Sequence, residues 1–275
     1  MNDVSRERER AVADAFVRPR SVPDPELRLV VFHHAGGSAA QYFPLTRVTP
    51  PGWEVLLLDL PGRGKRHDRR PVGSVRELVG VTVRDVLPFT ETAPLALFGH
   101  SLGAVLAYET ARVLEAAGRP PAWLGVSGRV APRRSAPVAL PDHALSDGEL
   151  MKQLTRMGGM HPRIDELPEF RERFLRLVRT DLGAVARYRP DPARTPLSVP
   201  LTAFGGSDDV WAPPSELGEW AAETRGDFRL RVFAGGHFHF LGPDFPAFAA
   251  ELVEEIRRSG APEPGGRGEL VRTTS

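Results

Sequence analysis

The pentapeptide Gly-His-Ser-Leu-Gly at residues 99–103 constrains the possible folds of this chain more than any other stretch. It follows the apolar run 95–98 and precedes a helix-like run at 102–117. Because its two glycines permit a sharp turn between a strand and a helix, the hydroxyl of Ser101 would be lifted clear of the sheet as a nucleophile. The five-residue pattern also occurs by chance in glycine-rich chains, so its surroundings must support it.

Five more runs in the chain predict strands, the first two of them of a buried type, and glycines follow each of the five. They lie at residues 27–32, 53–60, 123–127, 199–204 and 228–233. Buried strands that end in glycine loops, separated by helix-like stretches such as 102–117 and 244–258, are typical of parallel sheets covered by helices. We therefore predict an α/β fold with a mostly parallel central sheet flanked by helices.

The alternation of strands and helices stops between residues 129 and 196. This stretch is rich in proline and arginine, and Phe170, Phe174, Leu177 and Val178 recur in it at helical spacing. We predict a helical insertion that forms a lid over the site; the alternative is a peripheral helical subdomain with no role in access.

The chain is expected to divide into three parts. A polar leader occupies residues 1–26, and a single α/β-hydrolase domain, which includes the insertion at about 129–196, occupies residues 27–258. The proline- and glycine-rich residues 259–275 are predicted to form a disordered tail.

The composition argues against several classes of function. Lysine and arginine total 36 against 35 aspartate and glutamate, so the formal charge of +1 predicts neither nucleic acid nor a membrane as partner. The absence of cysteine rules out thiolate nucleophiles and cysteine-based metal sites, and it suits a reducing compartment. We find no signal peptide, no run of about 20 apolar residues and no metal or nucleotide motif. We expect a cytoplasmic protein that uses no cofactor and no metal.

Ser101 requires a base, and the base requires a carboxylate that orients it, because an unassisted serine hydroxyl is a weak nucleophile. In the α/β-hydrolase fold these residues follow the chain order serine, acid, histidine. The sequence supplies this order, with an aspartate after the run 199–204 and His237 after the run 228–233. Each lies where a strand would end, so the three are expected to converge at one edge of the sheet.

Two adjacent aspartates compete for the role of the acid. Asp209 stands in a glycine-containing frame followed by Pro213, which resembles the G-x-x-D-x-x-x-P turn that holds the acid in hydrolases of this fold. We therefore assign Asp209 as the acid and expect Asp208 to support the turn.

The remaining site residues are assigned by their neighbours. His237 directly follows a glycine pair, whereas His239 is expected to pack beside it. Three more histidines flank the proposed site and are expected to pack in loops: His33, His34 and His100. The oxyanion hole would combine the backbone N–H of Leu102 with that of Ala35, and each such donor typically contributes about 3 kcal/mol to transition-state stabilisation.

These motifs together resemble the type II thioesterases, which are editing enzymes of polyketide and nonribosomal peptide synthesis in the α/β-hydrolase superfamily. The resemblance covers about residues 28–258 and is carried by the segments 34–38, 61–64, 99–104, 205–209 and 235–238. The chain departs from the family at His33, where proline is usual, and at His239, where the family tends to have an aromatic residue.

The resemblance implies a free-standing serine hydrolase that removes acyl groups from the phosphopantetheine thioester of an acyl or peptidyl carrier protein. Ser101 would attack the thioester, His237 would act as the base and Asp209 would hold the imidazole. Three alternatives stay open: a small-molecule carboxylesterase or lipase with the same triad, a terminal thioesterase domain of a megasynthase, and a non-catalytic scaffold of the same fold. We expect a monomer.

Two groups of basic residues could line the edge of the sheet at which the site lies. They are Arg63, Lys65, Arg66, Arg69 and Arg70, followed later in the chain by Arg129, Arg133 and Arg134. Such a basic rim would suit an acidic carrier protein and its phosphate, and the alternative is a set of solvated loops.

Overall fold

A mostly parallel β-sheet forms the centre of the fold. The computed structural model describes residues 14–132, 144–158 and 168–260 of the 275-residue chain. Within these residues the sheet has seven strands in the order β1-β3-β2-β4-β5-β6-β7. They are β1 (Phe16–Val17), β2 (Leu27–Phe32), β3 (Trp53–Leu58), β4 (Leu95–His100), β5 (Trp123–Ser127), β6 (Leu201–Gly206) and β7 (Phe228–Phe233). Strand β1 pairs antiparallel with β3, and the other neighbours are parallel.

Helices cover the sheet. The α-helices of the described residues are α1 (Val75–Val86), α2 (Leu102–Ala116), α3 (Asp147–Met157), α4 (Pro168–Arg187), α5 (Pro214–Leu217) and α6 (Phe245–Arg258). Short 3₁₀ helices occupy Ala39–Arg47, Gly64–Arg66, Leu87–Glu91, Gly218–Glu223 and Gly242–Asp244.

Strands β2 to β6 are buried on both faces, and strand β2 illustrates how. All six of its residues are buried. Val30 and Phe32 belong to the hydrophobic cluster that includes helix α2. Leu29 and Val31 belong to the cluster on the opposite face, which includes Phe248 of α6. Successive side chains of a strand point to opposite faces, so a strand covered on both sides is a continuous apolar run.

The strand order creates a crevice between β2 and β4, which are neighbours in the sheet. The chain leaves β2 to form β3 on one side and then crosses to β4 on the other side. The loops that follow β2 and β4 therefore diverge, and such a point at the carboxyl edge of a parallel sheet is a common ligand site. The glycine-rich loop after β2 and the serine after β4 both lie at this crevice.

The predicted fold class is confirmed. The central sheet is mostly parallel, it is flanked by helices, and strands β2, β5 and β7 have the predicted bounds. Helices α3 and α4 lie in the predicted insertion, of which residues 133–143 and 159–167 are outside the described residues. Residues 1–13 of the expected leader and 261–275 of the expected tail are also outside them.

The sequence patterns did not lead us to strand β1 or helix α1. Strand β1 falls within the expected polar leader, where Phe16 is buried with its ring centroid 5.4 Å from that of Phe89. A two-residue strand is too short to produce a periodic pattern. Helix α1 does carry such a signal, because Val75, Leu78 and Val79 show amphipathic helical spacing.

Among the described residues, no helix combines the length and the apolar character that crossing a membrane requires.

Candidate active site

Ser101 occupies a strained turn between β4 and α2. Its φ of 56° makes it the one non-glycine residue with positive φ in the described part of the chain. The two flanking glycines are required by space, because a Cβ on Gly99 would lie 2.0 Å from the oxygen of Gly103, and one on Gly103 would lie 2.1 Å from the oxygen of Phe32. Backbone strain of this kind persists where the surrounding structure imposes it, and here it aims a hydroxyl from the sheet edge.

Asp209 and His237 are joined by a hydrogen bond at the same edge. The Nδ1 atom of His237 lies 2.9 Å from Oδ2 of Asp209, and both side chains are almost completely buried. Asp209 follows β6 and His237 follows β7, which are adjacent parallel strands. The carboxylate therefore fixes Nδ1 as the protonated nitrogen and leaves Nε2 free to accept a proton.

The other oxygen of Asp209 is held by the backbone. Its Oδ1 accepts hydrogen bonds from the N–H groups of Trp211 at 2.9 Å and Ala212 at 3.2 Å. Burial alone would raise the pKa of Asp209, but the hydrogen bond and charge of His237, together with these two amides, lower it below its usual value. The group is therefore an ionised carboxylate at neutral pH.

The Nε2 atom of His237 is buried and has no hydrogen-bond partner among the described residues. A buried polar atom without a partner is costly, so such an atom is often one that serves a ligand or a reaction. Ser101 is itself 7% exposed, at the carboxyl end of the central strand β4. The arrangement suits a base that takes the proton of a serine hydroxyl.

The four other histidines of the expected site are also buried: His33, His34, His100 and His239. Burial is the main cause that lowers the pKa of His33 to about 3 and that of His239 to about 4. Burial also holds the pKa values of His34 and His100 well below the usual value. These four imidazoles are therefore neutral at neutral pH, and the ring of His100 packs with its centroid 4.7 Å from that of His237.

Asp208, the competing aspartate, has a different environment. Its carboxylate accepts a hydrogen bond from the hydroxyl of Ser207 at 3.1 Å, and its backbone N–H donates to the oxygen of Gly235 at 2.9 Å. It is exposed, whereas Asp209 is 2% exposed. The contacts of Asp208 join the two loops that carry Asp209 and His237.

Two backbone segments supply candidate donors for an oxyanion. Leu102 is the first residue of α2, so its N–H has no acceptor within the helix. The loop of residues 34–37, which we call the oxyanion loop, closes by a hydrogen bond of 3.0 Å from the N–H of Gly37 to the oxygen of His34. That turn uses neither the N–H of Ala35 nor that of Gly36.

The expected basic rim requires correction. Arg63 and Arg66 are 4% and 3% exposed, and they form buried ion pairs with Asp181 and Asp85. A guanidinium group can bind a carboxylate through several N–H groups in a fixed geometry, and this makes arginine the cation that is most readily buried in a pair. The exposed cations of this segment are Lys65, Arg69 and Arg70.

Of the second group of the expected basic rim, the structure describes only Arg129. Burial lowers the pKa of Arg129 to about 10, and its side chain is only partly accessible. Arg133 and Arg134 lie outside the described residues.

Two cavities border the site and both touch the insertion. One, of about 470 Å³, reaches His237 and is lined by Gln153 and Arg156 of α3. Another, of about 400 Å³, lies between the oxyanion loop and α4 and includes Phe170 and Phe174. A larger cavity of about 660 Å³ lies between α1, α2 and the end of α4, away from Ser101 and His237, so its size alone does not mark it as the site.

Among the described residues, no group of three or more histidine, aspartate or glutamate side chains is arranged to hold a metal ion.

Comparison with known proteins finds a thioesterase family model and similar thioesterases. A family model described as a thioesterase domain matches residues 27–259. The chain is 38% identical over 221 residues to thioesterase PikA5 of Streptomyces venezuelae, covering 79% of this chain and 76% of that protein. It is 30% identical over 225 residues to the gramicidin S biosynthesis protein GrsT of Aneurinibacillus migulanus, covering 81% and 86%. Among solved structures, the type II thioesterase BorB from the borrelidin biosynthetic cluster superposes with a TM-score of 0.79 at 35% identity, covering 89% of this chain and 98% of that one.

Proposed function

This chain belongs to the thioesterase family, and on that premise we propose that it is a type II thioesterase of polyketide or nonribosomal peptide synthesis. Its substrates are acyl groups bound as thioesters to the phosphopantetheine arm of carrier proteins, and it removes stalled or incorrectly loaded groups. The similarity to PikA5, GrsT and BorB supports this assignment.

One observation carries the catalytic part of the proposal. Nε2 of His237 is buried without a partner while Nδ1 is held by Asp209, so the imidazole is oriented and its basic nitrogen is available. Ser101 lies on a strained turn at the same sheet edge. Nucleophile, base and orienting carboxylate are the three parts that covalent acyl transfer needs.

Acylation proceeds as follows. His237 accepts the proton of the Ser101 hydroxyl as its oxygen attacks the thioester carbonyl, and the carbonyl oxygen becomes an oxyanion. The N–H groups of Leu102 and Ala35 stabilise that charge. The C–S bond then breaks, the protonated His237 gives its proton to the departing sulfur, and the pantetheine thiol leaves the acyl-serine behind.

Deacylation repeats these roles with water. His237 accepts a proton from a water molecule, whose oxygen attacks the acyl-serine carbonyl, and the same two N–H groups stabilise the second oxyanion. Collapse of that intermediate returns the proton to Ser101 and releases a carboxylic acid. Asp209 stays ionised throughout and stabilises the imidazolium that forms in each half.

The insertion acts as a lid on the substrate. Helix α3 borders the cavity that reaches His237, and helix α4 borders the cavity beside the oxyanion loop. Both helices therefore lie beside space that a substrate would enter. Closure of such a segment would exclude bulk water from the acyl-serine.

A comparison of leaving groups tests the proposed substrate class. The same acyl group is presented on a carrier protein, on free pantetheine and as its p-nitrophenyl ester, and kcat/KM is measured for each. We expect the carrier-protein thioester to have the highest kcat/KM, because only it offers the protein partner and the full arm. A higher kcat/KM for the p-nitrophenyl ester than for both thioesters would instead identify a carboxylesterase.

Charge reversal of Arg69 and Arg70 tests the contact with the carrier protein. Both side chains are exposed in the segment after β3, of which Gly64 and His67 line the cavity beside the oxyanion loop, and positive charge there would attract an acidic partner. We expect Arg69→Glu/Arg70→Glu to raise KM for an acyl-carrier protein by about tenfold or more at low salt, and to leave KM for acyl-pantetheine unchanged.

The matched control reverses two exposed arginines at the opposite edge of the sheet. Arg119 follows the end of α2, and Arg225 precedes β7. Arg119→Glu/Arg225→Glu produces the same change in net charge and should leave both KM values unchanged. Equal effects of the two double variants, or equal effects on the two substrates, would show that Arg69 and Arg70 do not contact the carrier protein.

A further inference from the structure

A buried carboxylate on helix α4 has no role in the triad. Asp181 is fully buried, and its two oxygens bind the two terminal nitrogens of the Arg63 guanidinium group. Oδ2 lies 2.5 Å from Nη1 and Oδ1 lies 3.0 Å from Nη2. Such a two-pronged pair has a fixed geometry, and its charges are balanced inside the protein.

The same carboxylate also holds the oxyanion loop. Oδ2 of Asp181 accepts a hydrogen bond from the backbone N–H of Gly36 at 2.8 Å. Gly36 directly follows Ala35, the candidate oxyanion donor. Two residues 145 positions apart in the chain are thus joined by a charge-assisted hydrogen bond.

Helix α4 packs directly on this part of the loop. Gly36 has a φ of +72°, and a Cβ added to it would lie 2.3 Å from Cγ2 of Val178 and 3.0 Å from the ring of Phe174. The loop therefore approaches the helix so closely that only glycine fits. Val178 and Asp181 stand one turn apart on α4, so packing and hydrogen bonding act on Gly36 together.

A second carboxylate holds the chain just after the loop. Asp59 accepts hydrogen bonds from the N–H of Ala39 at 2.9 Å and from the N–H of Lys65 at 2.9 Å. This ties the turn that carries Arg63 to the segment that follows the oxyanion loop. With Asp59 holding the chain after the loop, Asp181 is the side chain that holds the peptide N–H of Gly36 within it.

We propose that Asp181, balanced by Arg63, is a positioning residue that holds the oxyanion loop so that the N–H of Ala35 points at the reacting carbonyl oxygen. The inference rests on the proposed function, since it concerns the oxyanion hole of that reaction. As a consequence, helix α4 positions a catalytic loop in addition to covering the substrate. Part of the stabilisation of the transition state depends on where this inserted helix sits.

Two substitutions of Asp181 separate positioning from a purely structural role. Asp181→Ala removes both the ion pair and the acceptor of Gly36. Asp181→Asn removes the ion pair but keeps an oxygen that can accept from Gly36. A merely structural role predicts equal effects on activity, whereas a positioning role predicts that Asn retains most of the activity that Ala loses.

The matched control is the neighbouring buried ion pair. Arg66 lies three residues after Arg63 and binds Asp85 of α1, with Nη1 and Oδ2 2.7 Å apart. Asp85→Ala removes the buried carboxylate that binds an arginine of the same turn, without removing the acceptor of Gly36. We expect Asp85→Ala to lower the melting temperature and to keep kcat within about twofold of wild type, since about this much follows from indirect effects.

Two kinetic quantities report on the oxyanion hole. One is kcat for hydrolysis of an acyl-pantetheine thioester, and the other is Ki for a trifluoromethyl ketone analogue, whose adduct with Ser101 places an oxyanion in the hole. Loss of one oxyanion donor typically costs about 100- to 1000-fold. For a donor that is displaced rather than removed, we expect Asp181→Ala to lower kcat by about 10- to 100-fold and to raise Ki by a similar factor, with KM within about threefold.

Two results would overturn the proposal. One is a kcat and Ki in Asp181→Ala within about threefold of wild type, and the other is an equal loss in Asp181→Ala and Asp181→Asn. If Asp181→Ala does not fold, the double variant Arg63→Met/Asp181→Leu replaces the pair by apolar side chains and leaves no buried charge. It should then show the same loss of kcat and the same rise in Ki, and normal values of both would also overturn the proposal.

A failure of the proposed function gives a different pattern. If Ser101→Ala retains turnover, the acyl-serine mechanism itself is wrong. If Ser101→Ala is inactive while Asp181→Ala is normal, the mechanism stands and only the role of Asp181 is rejected.

Discussion

Replacement of Ser101 by alanine is expected to lower kcat for acyl-pantetheine hydrolysis by about a million-fold, as loss of the nucleophile does in serine hydrolases. The physical reason is that the reaction is divided into two easier steps only if an acyl-serine can form. The proposed oxyanion donors, the N–H groups of Leu102 and Ala35, remain in the variant, so a small residual rate above that of water is expected.

Steady-state turnover and covalent labelling measure this effect independently. A fluorophosphonate should label the wild-type protein and fail to label Ser101→Ala. Ser127 provides a matched control, because it ends strand β5 at the same edge and its hydroxyl bonds Nδ1 of His100 at 3.0 Å. We expect Ser127→Ala to be labelled and to keep kcat within about tenfold of wild type. Near-normal turnover of Ser101→Ala would contradict the acyl-serine mechanism.

Asp209→Asn is expected to lower kcat by about 10,000-fold without unfolding the protein. The structure explains both the loss of activity and the retention of the fold. Oδ1 is held by the N–H groups of Trp211 and Ala212, so the amide oxygen of the variant is expected to take that position. The amide NH₂ then faces Nδ1 of His237 and donates to it. This stabilises the tautomer with the proton on Nε2, which cannot accept a proton from Ser101.

The adjacent aspartate serves as the control for this prediction. Asp208→Asn makes the same chemical change one residue earlier, at an exposed side chain that bonds Ser207 rather than His237. We expect its kcat to stay within about tenfold of wild type, and both variants to show cooperative thermal unfolding. A large loss in Asp208→Asn together with a small loss in Asp209→Asn would exchange the roles assigned to the two aspartates.

Much of the fold could be predicted from local sequence patterns. Strands β2 and β5 are buried on both faces, so apolar residues dominate them, and their ends coincide with polar or glycine-containing loops. The short β1 could not be found in this way, since Phe16 is buried through contacts with residues distant in the chain such as Phe89.

The basic segment after β3 shows a different limit of prediction from sequence. Arg63, Arg66, Arg69 and Arg70 look alike in the sequence, yet the first two are buried and the last two are exposed. The carboxylates that draw the first two inward, Asp181 and Asp85, stand far away in the chain. No local pattern records which arginine will meet which carboxylate.

The sequence by itself determined the chain order of Ser101, Asp209 and His237 and the placement of each after a strand. In a parallel sheet these positions must share one edge, because strand direction alone brings the carboxyl ends together. The sequence also determined the sharp turn at Ser101, since only glycine fits at Gly99, where a Cβ would meet the backbone of Gly103 in the same turn. These are local consequences of backbone geometry and of the periodicity of buried strands.

Only the tertiary structure decided what holds these residues in place. It joins Nδ1 of His237 to Asp209 while Nε2 stays without a partner among the described residues, and it brings Asp181 of the inserted helix to the N–H of Gly36. Such contacts span many residues and depend on how helices and loops pack, so residue types and their spacing do not specify them. The turn at residues 99–103 therefore indicates Ser101 as the proposed nucleophile, and the packing of α4 on the oxyanion loop contributes to how that loop is held.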